Sequence, residues 1–360
     1  MPLTYDPGMR VLAITHGSDL PEAHLLIGLS QSGIEIDLIV HPESPQRDRF
    51  IEAGLDPDAL PIRSRWDPGA RRILKERIQR RPVDIIHSFT NRGLANALAA
   101  SRGAGAKHIG YRGRQGNVSR WDPGSWLTYL HPRVSKISCV SDGVRESLQA
   151  AGVAPGRLVT IYKGHDVEWY AQERLPDLGE FDIPKNAFVI GCAANMRSSK
   201  GSGVLIESAR RLASTPALHF LLMGEVRDPS LRAEAAECAG RVHLTGFRRD
   251  ARNLLGACDL CVMSSFSEGL PKGVIEAMAQ GVPVVASGVG GLKELVVDGE
   301  CGLLVPPGDP GALADAISMM ASDPGHSQAM GLRAKQRIVD HFHPGQTLEK
   351  TLALYRDVLG

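Results

Sequence analysis

Long hydrophobic runs are missing from this chain of 360 residues. No stretch approaches 18 uninterrupted apolar residues, so the sequence predicts no membrane-spanning helix. The first residues hold no basic stretch leading into an apolar core, and the expectation is a cytoplasmic protein. An excess of one charge sign is missing too. The net charge of +1 gives no reason to expect a nucleic-acid partner. Cysteines are few and dispersed: Cys139, Cys192, Cys238, Cys258, Cys261 and Cys301 suggest a reducing compartment rather than a disulfide scaffold. Cys258 and Cys261 form a CxxC with no second pair, and it runs into the apolar CDLCVMSS, which reads as core rather than as a zinc site. The 12 histidines show no spacing with Asp or Glu that suggests a metal site, so neither a metal nor a cofactor is expected. Asp56 and Asp58 make a DxD, but it lies in GLDPDALP with no apolar strand before it and reads as a surface turn.

What is present is ordinary in bulk: 43% hydrophobic and 22% charged residues, as in a soluble globular protein, at a length that favours two domains. The charge is unevenly placed. Residues 1–170 hold 22 Lys+Arg against 18 Asp+Glu, and residues 63–82 alone hold eight basic and two acidic residues. That stretch is either a solvated helix face or a surface that docks on an anionic membrane or acceptor, at the inner membrane face.

Short β-rich runs alternate with helical patterns. RVLAIT (10–15), IEIDLIV (34–40), VDIIHSF (83–89), HIGYR (108–112), ISCVS (137–141) and LVTIY (158–162) read as strands. A polar stretch at 165–186 reads as a linker, and the pattern restarts with FVIGCAAN (188–195), LHFLLMG (218–224), VHLTG (242–246), LCVMSS (260–265), VPVVAS (282–287) and GLLV (302–305). The expected fold class is α/β, with two doubly wound Rossmann-like parallel sheets facing across a cleft. The boundary falls at 168/169, the second domain runs to 346, and a final helix at 347–360 could pack on either domain.

Five stretches carry candidate chemistry. FSEGLPKGVIEAMA (266–279) places Glu268 on a loop and Glu276 on the helix that follows, with the amides of Gly269, Leu270 and Lys272 at a helix N-terminus suited to an anion. Carboxylates so placed can accept paired hydrogen bonds from vicinal hydroxyls, or are plain surface charges. CAANMRSSKGSG (192–203) sets Arg197 and Lys200 between a strand and a helix, which suits a diphosphate or reads as a solvated basic loop. GVGG (288–291) follows a strand, but Lys293 breaks the dinucleotide spacing, leaving a tight turn. Gly17 follows the first strand and either admits a ligand or makes a turn. YRGRQGNVSRW (111–121) clusters Arg112, Arg114 and Arg120 in a glycine-containing loop, which suits an anionic acceptor or donor phosphate or is a flexible basic loop. His16 and His87 follow or end strands and are candidates to face the cleft.

Taken together, these motifs resemble the retaining family-4 glycosyltransferases of GT-B fold (glycosyl transferases group 1). ANMRSSKG is similar to that family's phosphate loop, SFSEGLPKGVIEAMAQGVPVVAS to its E-x7-E signature, and GVGGLKELVVDGECGLLVPPGDPGALADAI continues the pattern. The resemblance implies a metal-independent transfer, with retention, from a UDP- or GDP-sugar to a hydroxyl of a glycan or glycolipid such as lipopolysaccharide. Arg197 and Lys200 would bind the diphosphate and act with Glu268 in catalysis. Glu276 would hold ribose, and Glu268 with the amides of Gly269 and Leu270 the sugar, with Lys272 also in the donor site. Gly17, Gly224 and Phe247 complete the implied donor set. The resemblance also assigns helix 347–360 to the N-terminal domain. Asn195 stands where many members carry an arginine, so Arg197 must supply that charge. YRGRQG replaces a His-containing segment, so His87, Arg112 and Arg114 are the candidates on the acceptor side. A nucleotide-sugar epimerase and a non-catalytic nucleotide-sugar-binding protein are the alternative readings on this fold.

Overall fold

Asp-Pro recurs at helix starts: Asp67-Pro68, Asp122-Pro123, Asp309-Pro310 and Asp323-Pro324. In each, the aspartate side chain accepts a hydrogen bond from a first-turn amide while the proline supplies a pre-set φ at a position that needs no N–H. The pattern appears in a computed structural model that describes residues 8–172, 174–215 and 217–360.

The chain divides into two units, the first holding the chain through Gly164 plus Pro344–Gly360 and the second His165–His343. The boundary drawn from sequence lies four residues further on. The stretch beyond it, read as a linker, contains two short 3-10 turns, Val167–Tyr170 and Leu178–Phe181.

The first unit contains β1 (Arg10–Ile14), β2 (Glu35–Val40), β3 (Asp58–Ala59), β4 (Ile85–Ser88), β5 (Lys107–Arg112), β6 (Val134–Cys139) and β7 (Leu158–Thr160). They pair in the order β3-β2-β1-β4-β5-β6-β7, all parallel. Asp58 therefore corrects the surface-turn reading. It pairs with Ile39 as a two-residue edge strand, and its carboxylate meets Arg77, which also grips Asp37. An edge strand this short needs no apolar run, so the pattern did not reveal it. One sheet face packs on helices Leu20–Gln31 and Pro344–Leu359 through Leu26, Leu29, Leu352 and Tyr355. The other packs on helices Pro68–Arg80 and Asn91–Ala100 through Leu74, Ile78 and Ala97. Each such fully buried aliphatic side chain contributes roughly 1.5–3 kcal/mol.

The second unit contains β8 (Phe188–Ala193), β9 (Leu218–Met223), β10 (Val242–Gly246), β11 (Leu260–Met263), β12 (Val284–Ser287) and β13 (Gly302–Val305), in the order β10-β9-β8-β11-β12-β13. Helices Ser202–Arg211 and Pro310–Ser322 cover one face. All six cysteines are buried and unpaired, including the CxxC pair. In each sheet the strand order reverses once, between β1 and β4 and between β8 and β11. Loops leaving the strands at such a point diverge and open a crevice.

His87 lies on β4, 2% exposed, where Nδ1 meets the Tyr355 hydroxyl at 2.8 Å. Burial lowers its pKa from 6.5 to about 3, and burial, with Arg133 and His131 adding to it, does the same for His108. Both rings are neutral in the fold. Between pH 6.5 and about 3 the unfolded chain takes up protons that the folded chain refuses, so stability falls as pH falls through that window. Each histidine is expected to remove about 2 kcal/mol between pH 7.5 and pH 5. Urea midpoints at the two pH values test this: His87→Gln should show a smaller drop than the parent chain, whatever its absolute stability.

Candidate functional site

The second unit's crevice is built by glycines that let backbones touch. Gly201 has φ +64°, and a Cβ there would overlap the Ser264 carbonyl oxygen, so no other residue fits without displacing one of the two loops. Ser264 Oγ donates to the Gly201 carbonyl at 2.9 Å, and Phe266 N–H to Ser199 at 3.1 Å. The loop after β8 is thereby stapled to the loop after β11. A Cβ on Gly224 would overlap the Ala194 carbonyl, and one on Gly291 the Gly269 carbonyl. The GVGG turn thus has a second duty beyond turning: it lets the 268–270 loop settle against it.

The staple brings together residues 68 apart in sequence. Lys200 Nζ lies 2.6 Å from Glu268 Oε1, and Ser265 Oγ donates to the same oxygen at 2.6 Å. Glu268 is 7% exposed. Sequence reasoning placed Lys200 on a phosphate and Glu268 on a sugar; the structure pairs them with each other. Ser265 was missed, although the SSFSEG run could have signalled it, since a serine three residues before a buried acid can reach it. Glu276 is also 7% exposed and faces Lys272 at 3.2 Å, one helical turn away. Arg197 is exposed, and its backbone is held by Ser202 Oγ.

Helices Ser202–Arg211 and Lys272–Ala279 both begin at this crevice, and neither has a side-chain cap. Their first-turn amides are the orphan donors that an anion satisfies. Gly224 N–H donates to Gly246 at 2.8 Å, and Met196 N–H to Glu225 at 2.8 Å, so the loops after β8, β9 and β10 form one backbone-bonded rim. Phe247 stands on it, 69% exposed. Among the described residues no group of three or more His, Cys, Asp or Glu is placed to hold a metal.

In the first unit, a Cβ on Gly17 would meet nothing within 4 Å, so packing within the unit does not require the glycine. Beside it, Lys163 Nζ binds Asp19 at 2.7 Å and approaches Glu22 at 3.7 Å, while the Thr15 hydroxyl donates to Glu22. Burial raises the Glu22 pKa against the opposing charge of Lys163. None of these polar residues was singled out from sequence. Two acceptor-side candidates sit elsewhere than expected. His87 is sealed in the core, stacked on Phe89 at 4.2 Å. Arg112 is 3% exposed; its guanidinium donates to the carbonyls of Arg114 (2.8 Å) and Gly116, folding its own loop over Tyr129. Arg114 remains exposed.

The model for glycosyl transferases group 1 matches residues 187–323, and that for glycosyltransferase family 4 matches residues 23–169. The lipopolysaccharide core biosynthesis glycosyltransferase LpsE of Rhizobium meliloti is 34% identical over 89% of both chains. The alpha-maltose-1-phosphate synthase of Mycolicibacterium smegmatis is 30% identical over 62% of this chain, and the match spans 63% of that relative's length. Among solved structures, a glycosyltransferase from Rickettsia africae superposes with a TM-score of 0.81 at 20% identity, covering 98% of each chain. HepE of Anabaena in complex with UDP superposes at 0.77, also at 20% identity, over 97% of this chain and 100% of that one. These likenesses show the GT-B fold.

Removing Lys200 leaves the buried Glu268 carboxylate hydrogen-bonded to Ser265 but without its counter-charge. Lys200→Ala should cost about 1–3 kcal/mol, and adding Glu268→Gln should recover part of that loss, because the uncompensated charge is then gone. Thermal melts of the two single variants and the double variant measure the coupling; simple additivity would mean that the pair is not a unit.

Proposed function

The chain belongs to the group 1, family 4 glycosyltransferases, and on that premise we propose that it moves a sugar from a UDP- or GDP-sugar to a hydroxyl of a surface glycan or glycolipid, with retention and without a metal ion. One observation carries the reading. At the second unit's switch point, a lysine, an exposed arginine and two uncapped helix starts share a crevice with two buried glutamates. Cations and free amides match a diphosphate; buried carboxylates match a polyol. Complexes of HepE with UDP, with UDP and glucose, and with UDP-glucose support a uridine donor. LpsE supports a lipopolysaccharide acceptor.

Departure of a nucleoside diphosphate builds negative charge on the phosphate that was bonded to the sugar. Arg197, Lys200 and the amides of Gly269, Leu270 and Lys272 stabilise that charge where it develops. Lys200 can serve both partners, because an ammonium has three donors: one stays on Glu268 while another meets a phosphate oxygen. Glu268, held by Ser265 and Lys200, accepts hydroxyls of the sugar, and Glu276 those of ribose. The acceptor hydroxyl then attacks from the face the phosphate leaves, and that phosphate takes its proton.

Nucleotide release from UDP- and GDP-sugars, with EDTA present and an acceptor extract added, tests the reading. Arg197→Ala and Lys200→Ala should each lower kcat/KM by roughly 100-fold or more. Glu276→Ala should raise KM for donor. Unchanged donor affinity in Arg197→Ala and Glu276→Ala would remove the proposed site. Donor conversion without acceptor would indicate an epimerase, binding without turnover a non-catalytic protein, and NMR of the product anomer decides retention.

A further inference from the structure

A groove of about 750 Å3 opens in the first unit, lined by Arg63, Arg65, Arg92 and Arg114 together with Asn91 and Asp122. It adjoins a second cavity of about 270 Å3, which shares Asn91 and Arg92 and reaches Thr15 and His16. Those residues follow β1 and β4, so both cavities sit at the switch point of the first sheet. Asn91 and Arg92 open the helix Asn91–Ala100.

None of the four guanidinium groups has an ion-pair partner within 4 Å among the described residues. The nearby acids are occupied. Asp67 accepts from the amides of Arg63 and Ala70, and Asp122 from the Gly124 amide and the Ser125 hydroxyl. They cap helices and turns and still attract Arg63 and Arg65 at longer range, so two carboxylate charges stand beside four arginines. Trp66 and Trp121, each next in sequence to a groove residue, are 64% and 93% exposed. The Arg71 guanidinium covers one face of Trp66 at 3.6 Å, so the indole of Trp121 is the open apolar face beside the groove on which a sugar ring can pack.

We propose that this groove binds a phosphorylated saccharide, so that the acceptor presents a phosphate to Arg63, Arg65, Arg92 and Arg114. The proposal rests on the reading of the chain as a sugar transferase. Four guanidiniums beside the carboxylates of Asp67 and Asp122 leave about two positive charges over, and a phosphate monoester brings close to two negative charges and three strong acceptor oxygens. A concave site of this volume also suits a discrete ligand, while a flat lipid surface would engage the outer basic face of helix Pro68–Arg80.

The test uses the full chain and glucose 6-phosphate as probe, titrated calorimetrically with UDP present to occupy any nucleotide site. Binding should weaken at least tenfold in Arg65→Ala/Arg114→Ala and less in Arg65→Lys/Arg114→Lys. Glucose should not bind measurably, and glucuronate should bind at least tenfold more weakly than the phosphate. UDP affinity should be the same in both variants as in the parent. Equal binding of glucose or glucuronate, or undiminished glucose 6-phosphate binding in the alanine variant, overturns the proposal. So does sedimentation with phosphatidylglycerol vesicles that needs Arg65 and Arg114 while the sugar phosphate fails to bind. If UDP does not bind the parent chain, the transferase reading fails separately, whatever the arginine variants do.

Discussion

The contact between Gly201 and the Ser264 carbonyl is the constraint on which the second unit's site depends. It is steric before it is chemical: two backbones meet where any Cβ would overlap an oxygen. With the loops after β8 and β11 fixed at that separation, Lys200 and Glu268 reach each other and Ser265 falls within reach of the same carboxylate oxygen. The side chains contribute charge, and the glycine decides where that charge sits. A crevice assembled this way is preorganised, because its polar groups are oriented by backbone packing and do not have to reorient around a ligand.

The two units treat acidic residues differently. In the first, aspartates near the arginine groove cap helices and turns and make no ion pair within 4 Å with the groove arginines, among the described residues. In the second, the crevice helices lack side-chain caps, and the glutamates are matched by lysines instead. A capping acid can serve a cation as well, as Asp19 does by capping helix Leu20–Gln31 while binding Lys163, so each cap also sets negative charge at its helix start. The placement of caps therefore shapes the electrostatics of both crevices as well as helix stability.

Periodicity made much of the fold legible. Buried parallel strands such as LHFLLM are continuous apolar runs, and Asp-Pro marks helix starts. The edge strand at Asp58 escaped because two exposed residues carry no pattern. At the site, the stretches holding Lys200, Glu268 and Glu276 were legible as motifs, but their pairing was not: Lys200 and Glu268 are joined through a steric contact that only three-dimensional packing reveals. His87 and Arg112 show the opposite limit. Their residue types suggest binding, yet His87 lies mid-strand under Tyr355, and Arg112 satisfies carbonyls of its own tight loop. A functional residue type at a strand end does not fix which way its side chain points.

The two glutamates eight residues apart are each balanced by a lysine before any ligand arrives. Lys200 reaches Glu268 across the staple, and Lys272 reaches Glu276 along the helix. These pairs cancel to no net charge, so Lys200 offers a phosphate a donor, and the net positive charge comes from Arg197, exposed and with no ion pair among the described residues, and from the first-turn amides of two helices. That division of labour has a physical consequence. The pairs orient the buried carboxylates toward hydroxyls without adding net negative charge beside a phosphate, while the leftover positive potential is met by the charge that grows as the leaving group departs. An arginine suits the leftover role better than a third lysine, because its fork grips two phosphate oxygens at once and its charge does not titrate.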